Sequence, residues 1–286
     1  MTEIRNVSDT ARWVAVYRAM ETQRPDALFR DPFAAKLAGS KGEAIVDDLP
    51  RGRQMAWAMI VRTQVFDEVI LDRIRTGGVD LVLNLAAGLD ARPWRLTQLP
   101  PALRWVDVDL PGILDYKLEA LAGEKTVCHY DAVRLDLTDS SKRAALFEKL
   151  GGESARVLVV TEGLLIYLTP EHVAELARDL HVPPAFQWWL IDLINPRLLK
   201  MIQRSWGSRL EQGNAPFKFA PAEGTRFFEP LGWREVEYRS ALEEGHRLKR
   251  EMRGAWLWRL LGKLASKKGR AEARRMSGSV LLERLP

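Results

Sequence analysis

Cysteine is almost absent from this 286-residue chain: Cys128 stands alone, so neither a disulfide framework nor a zinc site of several thiolates can be built. Long apolar runs are missing too. No stretch of about 18 apolar residues occurs, and none of the expected length for a membrane-spanning helix is present. The beginning of the chain carries Glu3, Arg5, Asp9, Arg12 and Arg18 in place of the apolar core of a signal peptide. The cytoplasm is the expected location. Histidine is scarce: His129, His172, His181 and His246 show no spacing that suggests a metal site or a catalytic triad, and no serine sits in a GxSxG elbow. Hydrolase and metal-enzyme readings therefore find no support, and no metal is expected.

What is present is ordinary for a folded domain. Apolar residues make up 47% and charged residues 28%, which excludes disordered, collagen-like and mucin-like chains. The net charge of +5 is unevenly spread. Residues 247–275 hold eleven Lys/Arg against two acids, a local +9, so that the remainder carries −4. The basic character is thus a C-terminal feature, which weakens any argument for nucleic-acid binding.

Hydrophobic periodicity changes character along the chain. Residues 10–22, with Trp13, Val14, Val16, Tyr17 and Met20, and residues 54–74, with Met55, Ala58, Val61, Val65, Val69 and Ile70, have helical spacing. Between them Asp31-Pro32 predicts the start of a short helix, with the acid as cap and the proline in its first turn. From Val79 onward, short apolar runs read as buried strands: VDLVLNLAAG at 79–88, RWVDVD at 104–109, a third near 126–130, RVLVVTEG at 156–163 and FQWWLIDLI at 186–194. Cys128 falls inside the third and reads as a small core residue. Helical patterns at 111–122, 139–150 and 170–180 alternate with these strands and predict right-handed βαβ units in a mostly parallel sheet. Residues 195–228 break the rhythm with a helix and the turn-rich GNAPFKFAPAEG. Strands at 233–238 and 279–285 follow, with a helical signal over 245–275 between them.

Ligands of open parallel sheets bind at the carboxyl ends of the strands. The first strand ends in Asn84-Leu85-Ala86-Ala87-Gly88-Leu89-Asp90, one glycine where a dinucleotide fingerprint has three. A pyrophosphate has little room there, yet a smaller group can approach the backbone; an ordinary strand-to-helix turn is the competing reading. The second strand ends in Asp107-Val108-Asp109, and Asp109, nearer the tip, is placed to accept both hydroxyls of a ribose, unless it caps the helix that opens at Leu110-Pro111. Asp136-Leu137 can grip an adenine, the carboxylate toward the exocyclic amine and Leu137 against the ring, or can be a turn. Glu162 ends the fourth strand and Tyr167 lies about a helical turn beyond it. Together these are parts of a nucleoside site without a pyrophosphate clamp, and S-adenosylmethionine, an adenosine with a sulfonium and an amino-acid end, fits it.

At these residues a resemblance becomes specific. RPDALFRDPFAAKLAG, Arg62-Thr63, NLAAGLDARPWRL, WVDVDLPGILDYK, DLTD, TEGLLIYLTPE, APAEG and FFEPLGW run in order through nearly the whole chain. The sequence resembles the leucine carboxyl methyltransferase family, in its bacterial branch of S-adenosylmethionine-dependent O-methyltransferases found in natural-product clusters. The resemblance implies a class I methyltransferase fold: α/β, Rossmann-like, a seven-stranded mostly parallel sheet with an N-terminal helical cap and an insertion before the sixth strand. It implies one domain over residues 1–286, with a cap at 1–75, a cofactor-binding core at 76–194, a lid insertion at 195–228 and C-terminal strands with a basic helix at 229–286. S-adenosylmethionine is the implied cofactor. Ala86 and Gly88 would approach its methionine part, Arg62 would pair with its carboxylate with help from Arg18, Asp109 would hold the ribose, and Asp136 and Leu137 would flank the adenine. Glu162 would sit at the ammonium end and Tyr167 would face the acceptor, the two forming the candidate catalytic pair. Lys117 and Asp90-Ala91-Arg92 are expected to be structural.

The implied reaction is O-methylation, with a small-molecule carboxylate as the expected acceptor and phenols or other hydroxyls of natural-product biosynthesis as the alternative. A non-catalytic cofactor-binding module is the third reading. Pro216, Phe217, Phe219, Phe227 and Phe228 either line an apolar acceptor cavity or tie the lid to the sheet. The basic stretch, with Trp256, Leu257, Leu260, Leu261 and Leu264 at helical spacing, reads as a docked amphipathic helix with a solvated basic face; an anionic partner or membrane surface is the alternative.

Overall fold

The computed structural model describes residues 7–252, 254–256 and 266–286. Seven strands form one sheet in the order β3-β2-β1-β4-β5-β7-β6. They are β1 (Leu81–Leu85), β2 (Arg104–Asp109), β3 (His129–Arg134), β4 (Val157–Thr161), β5 (Phe186–Ile194), β6 (Trp233–Ser240) and β7 (Ser277–Arg284). The first five pair in parallel, and β7 inserts antiparallel between β5 and β6. Every residue of β1 and β4 is buried, as expected of central strands covered on both faces.

Helices cover the sheet and build a cap at its carboxyl end. These are α1 (Val7–Thr22), α2 (Ala34–Asp48), α3 (Ala56–Gly77), α4 (Arg92–Arg95), α5 (Pro111–Ala120), α6 (Ser140–Glu153), α7 (Pro170–His181), α8 (Pro196–Gln212) and α9 (Ala241–Arg247). Local chemistry sets several starts. Asp139 caps α6 by accepting from Lys142 N, and Thr169 caps α7 by accepting from His172 N, with Pro170 at the first helical position. One core lies between sheet and flanking helices around Trp189 and Trp233, and a second gathers α1, α2 and α8 around Trp13, Tyr17 and Phe217. No helix among the described residues is long and apolar enough to cross a membrane.

Four local expectations are corrected. The third strand begins at His129, not near 126, and Cys128 lies buried just before it; burial pushes its thiol up to about 11. Asp31 accepts from Phe33 N and, through its carbonyl, from Ala34 N. It therefore shapes a turn before α2, whose cap is Phe33 and which runs 15 residues with a break at Gly39 (φ 60°). The helical signal over 245–275 is interrupted: α9 ends at Arg247, Lys249 takes a left-handed φ of 54°, and a separate helix occupies Lys267–Arg274. Leu257, Leu260, Leu261 and Leu264 lie outside the described residues. Nor is the basic stretch simply solvated. Arg250 is buried and paired with the fully buried Glu21 at 2.8 Å, and Arg247, Arg274 and Arg275 pair with Glu68, Glu243 and Glu235.

Candidate active site

The carboxyl ends of β1, β2, β4 and β5 converge on a cavity of about 1760 Å³. Its floor is the turn after β1. Ala86 and Gly88 both have left-handed backbones, φ 52° and 51°. Gly88 needs to be glycine twice over, because a Cβ there would lie 3.1 Å from the Ala11 methyl on α1. The turn is held by the neighbouring strand: Gly88 N donates to Asp109 Oδ2 at 2.6 Å and Leu110 N to Asp109 Oδ1 at 2.7 Å. Asp109 does not cap α5, whose N-cap is Leu110 without a side-chain bond. Burial pushes the Asp109 carboxyl above the ordinary range in spite of these two bonds.

Its neighbour Asp107 has a different fate. It is fully buried under Lys117 Nζ (2.6 Å), Tyr130 Oη, Trp105 Nε1 and Asn84 Nδ2. Lys117, also fully buried, is structural, and of the two acids only Asp109 lines the cavity. Asp136 lines it as well, exposed, with Oδ1 accepting from Thr138 N and Oγ1 in a local turn; Leu137 is half-buried beside it.

The opposite end of the cavity is a chain of buried charges. Arg18 pairs with Asp31 (2.8 Å), which Arg95 approaches at 3.9 Å. Arg95 and Arg92 share Asp67 (2.7 and 2.6 Å), and Arg92 also holds Asp90 (2.7 Å) and Glu162 (2.8 Å). Arg62 then joins Glu162 (3.0 Å) to Asp192 (3.2 Å). Burial would raise Glu162, but Arg92 and Arg62 together bring it below the usual carboxylate range. Burial likewise opposes ionisation of Asp90, and Arg92, Arg95, Lys117 and Arg18 nonetheless hold it at about 2. Arg18 also donates to the Leu89 carbonyl at 2.6 Å, pinning α1 to the β1 turn. Gly163, with φ 71°, donates to Asp192 Oδ1 at 2.6 Å.

Tyr167, in the turn Leu165–Tyr167, lines the cavity, stacks edge-on against Phe217 at 5.2 Å and donates to Thr10 Oγ1 at 3.0 Å. Burial pushes its hydroxyl up to about 12. The phenylalanines divide: Pro216 and Phe217 line the cavity, while Phe219 and Phe228 are buried and, with the partly buried Phe227, pack in the sheet-side core near Trp189 and Trp233.

All of Arg18, Arg62, Ala86, Gly88, Asp109, Asp136, Leu137, Glu162 and Tyr167 thus border one cavity. Sequence reasoning missed four other participants. Asp192 had a signal, an acid near the end of an otherwise apolar strand. Arg92, expected to secure the turn, also reaches Glu162. Thr10 and His172, exposed at the start of α7, line the same cavity, and nothing in the sequence pattern marked either.

The site suits S-adenosylmethionine chemically. The charge chain comprises four arginines and five carboxylates, a formal excess of one negative charge, which suits a cationic ligand. Thr63 Oγ1, buried beside Arg62, has no hydrogen-bond partner among the described residues.

Comparison with known proteins bears on the fold and the family. Two solved structures share the fold at a TM-score of 0.59. One is a DUF574 family protein from Streptomyces avermitilis, at 14% identity over 97% of this chain and 97% of that one. The other is a provisionally named methyltransferase from Thermobifida fusca, at 13% identity over 100% and 97%. The sheet is that of class I S-adenosylmethionine methyltransferases. Proteins provisionally named S-adenosyl-L-methionine-dependent methyltransferases are similar in sequence. One from Mycolicibacterium smegmatis is 34% identical over 62% of this chain and 63% of its own, and one from Streptomyces coelicolor is 34% identical over 58% and 61%. The chain thus spans about six tenths of the length of these curated relatives. The leucine carboxyl methyltransferase model matches residues 11–181, more than half of the sequence, and the chain belongs to that family, with S-adenosyl-L-methionine as its cofactor.

Proposed function

We propose that this protein methylates an oxygen of a small-molecule carboxylate, forming a methyl ester. The observation that carries this reading is the protonation chemistry around Tyr167. A phenol acceptor, with a pKa of about 10, needs a base to ionise it. Tyr167, pushed up to about 12, stays protonated at neutral pH and can only donate. Glu162 is ionised, but its two oxygens face Arg62 and Arg92 and its lowered pKa makes it a weak base. A carboxylic acid, with a pKa of about 4, arrives already ionised and needs neither.

S-adenosylmethionine supplies a methyl group already activated on a sulfonium. The chain's own share is alignment and exclusion of water. Asp109 and the Gly88 backbone offer the ribose and methionine contacts, and Leu137 with Asp136 the adenine contacts. Arg62, Glu162 and Asp192 present one cation and two anions to a zwitterionic amino-acid end. α1 closes over the floor through Ala11 against Gly88 and Thr10 against Tyr167. The Tyr167 proton that Thr10 accepts can be redirected to orient the acceptor oxygen.

A hydroxyl acceptor is the second reading. It is favoured by His172, an exposed residue on the cavity wall whose ring nitrogen can accept a proton. Incubation with methyl-labelled cofactor and matched sets of carboxylic acids and phenols tests both. Label that mild alkali releases as methanol marks an ester and supports the first reading. Alkali-stable label on phenols alone overturns it, and no transfer with intact cofactor binding favours a non-catalytic module.

A further inference from the structure

We propose that the acceptor half of the cavity takes an apolar aromatic acid, gripped between aromatic walls and selected at the mouth by Arg51, Arg197 and Lys218. The proposal rests on reading the cleft as a methyltransferase site and names the acceptor class for it.

Size and wall chemistry come first. A single ligand site is commonly about 300–1,000 Å³, so a cavity of about 1760 Å³ has room for a second molecule beside the cofactor. Away from the charge chain its walls are apolar and ring-rich. Trp13 meets Trp206 edge-on at 6.1 Å, Phe217 meets Tyr167 at 5.2 Å, and Met59 and Ile202 fill between them. Edge-to-face rings leave π faces and edges that suit a flat aromatic guest. The walls are also fixed in advance. Trp206 Nε1 donates to Pro50 O at 3.3 Å, Gln203 Nε2 to Phe217 O at 3.0 Å and Tyr17 Oη to Gly52 O at 2.8 Å. A guest therefore orders little protein on entering.

Charge at the mouth supplies the second half of the argument. The cavity's inner arginines, Arg18, Arg62, Arg92 and Arg95, and Arg239 farther along it, are each neutralised by carboxylates. Arg51, Arg197 and Lys218 border the same cavity, are exposed, and have no carboxylate at ion-pair distance among the described residues. Each adjoins a fixed element of the aromatic half. Arg51 stands between Pro50 and Gly52, the two residues that Trp206 and Tyr17 hold, and keeps a left-handed φ of 57° there. Lys218 follows Phe217 and its N–H donates to Ile166 O at 2.7 Å. Arg197 lies in the first turn of α8, the helix that carries Ile202 and Trp206. Such an arrangement steers anions inward. It also discriminates substrate from product: the acid is attracted, and the neutral ester is not.

The probes are 1-pyrenebutyrate and its neutral isostere 1-pyrenebutanol, titrated by fluorescence onto the full-length protein saturated with S-adenosylhomocysteine. The acid is expected to bind on the order of tenfold more tightly than the alcohol at low ionic strength, and the advantage should shrink as salt rises. The triple variant Arg51→Gln, Arg197→Gln, Lys218→Gln should erase the preference while alcohol affinity stays within about twofold. Trp206→Leu should weaken both probes. Equal affinity of acid and alcohol in the wild type, a preference that survives the triple variant, or probe binding indifferent to Trp206→Leu overturns the proposal. Calorimetry with S-adenosylhomocysteine separates the two readings. Without cofactor binding both fall; with it, a missing acid preference overturns the acceptor class alone.

Discussion

Arg62 Nε donates to Glu162 Oε1 at 3.0 Å across 100 residues of sequence, and its Nη1 reaches on to Asp192. The two side chains expected to take opposite ends of an amino acid therefore hold each other. Both are about 14% exposed, so neither is screened well by water. Arg62→Ala leaves Glu162 and Asp192 without this shared cation. Loss of one partner from a buried pair costs about 3–5 kcal/mol, and a clear fall in Tm is expected. Glu162→Gln should cost less, because Arg62 keeps Asp192. Thermal scans with and without S-adenosylhomocysteine check both, since the ligand-induced rise in Tm should also shrink in each variant. A wild-type Tm in Arg62→Ala would show that the charge chain does not stabilise the fold.

The same chain fixes the acid limb of stability. Asp90 titrates at about 2 in place of 3.8, and Glu162 is lowered as well. A carboxyl depressed in the folded state contributes stability above its unfolded pKa and loses it as pH falls through the folded one. The Asp90 contribution, about 2 kcal/mol, should be full above about pH 4 and fade toward pH 2. Asp109, raised by burial, has the opposite sign and offsets part of the loss. Denaturant midpoints at neutral pH and through the acid range should slope steeply in the wild type and less steeply in Asp90→Asn.

How much of this was legible depends on where apolar residues fell. β2 and β5 appear at the expected bounds because prolines close to both ends, Pro101 and Pro111, Pro184 and Pro196, bracket each run of aromatic and branched residues. β3, HYDAVR, is an edge strand with no fully buried residue, so the hydrophobic signal pointed instead to Val127 and Cys128 before it. The helical spacing over 245–275 gave no sign of the left-handed Lys249 that interrupts it. Of the site, the strand-end residues Gly88, Asp109 and Glu162 were readable by position. Their pairing was not, because ion pairs such as Arg62–Asp192, separated by 130 residues, leave no local pattern.

Asp109 binds two backbone N–H groups and also faces the cavity. Asp109→Ala should weaken S-adenosylmethionine binding by on the order of 2–3 kcal/mol through lost charge-assisted hydrogen bonds. Calorimetry reads this directly. Unchanged affinity would remove Asp109 from the ribose.

Arg250 offers a stability test remote from the site. It is 7% exposed and Glu21, its partner, is 0% exposed. Arg250→Ala leaves that buried carboxylate only the Leu28 N–H at 2.7 Å and Arg24 at 3.8 Å, at a cost of about 3 kcal/mol. Arg274→Ala, which breaks only the exposed pair with Glu243, should stay within about 1 kcal/mol. Parallel urea titrations compare them; equal effects would mean that the basic stretch is solvated throughout.

The pH dependence of turnover tests the nucleophile. Tyr167 is held near 12 and donates to Thr10, and Glu162 is ionised well below neutrality. Neither changes protonation between about pH 6 and 8. A carboxylate acceptor is ionised across that range too. The methyl-transfer rate, measured in single turnover so that chemistry limits, should therefore be nearly flat. Tyr167→Phe should lower that rate while cofactor affinity holds, because the hydroxyl orients the acceptor and the ring keeps its contact with Phe217. His172→Gln should leave the profile unchanged. A rate rising about tenfold per pH unit would mark a hydroxyl nucleophile ionising before attack. A pH-dependent profile that His172→Gln flattens would assign the imidazole as its base. Either result would replace the carboxylate reading with the hydroxyl one.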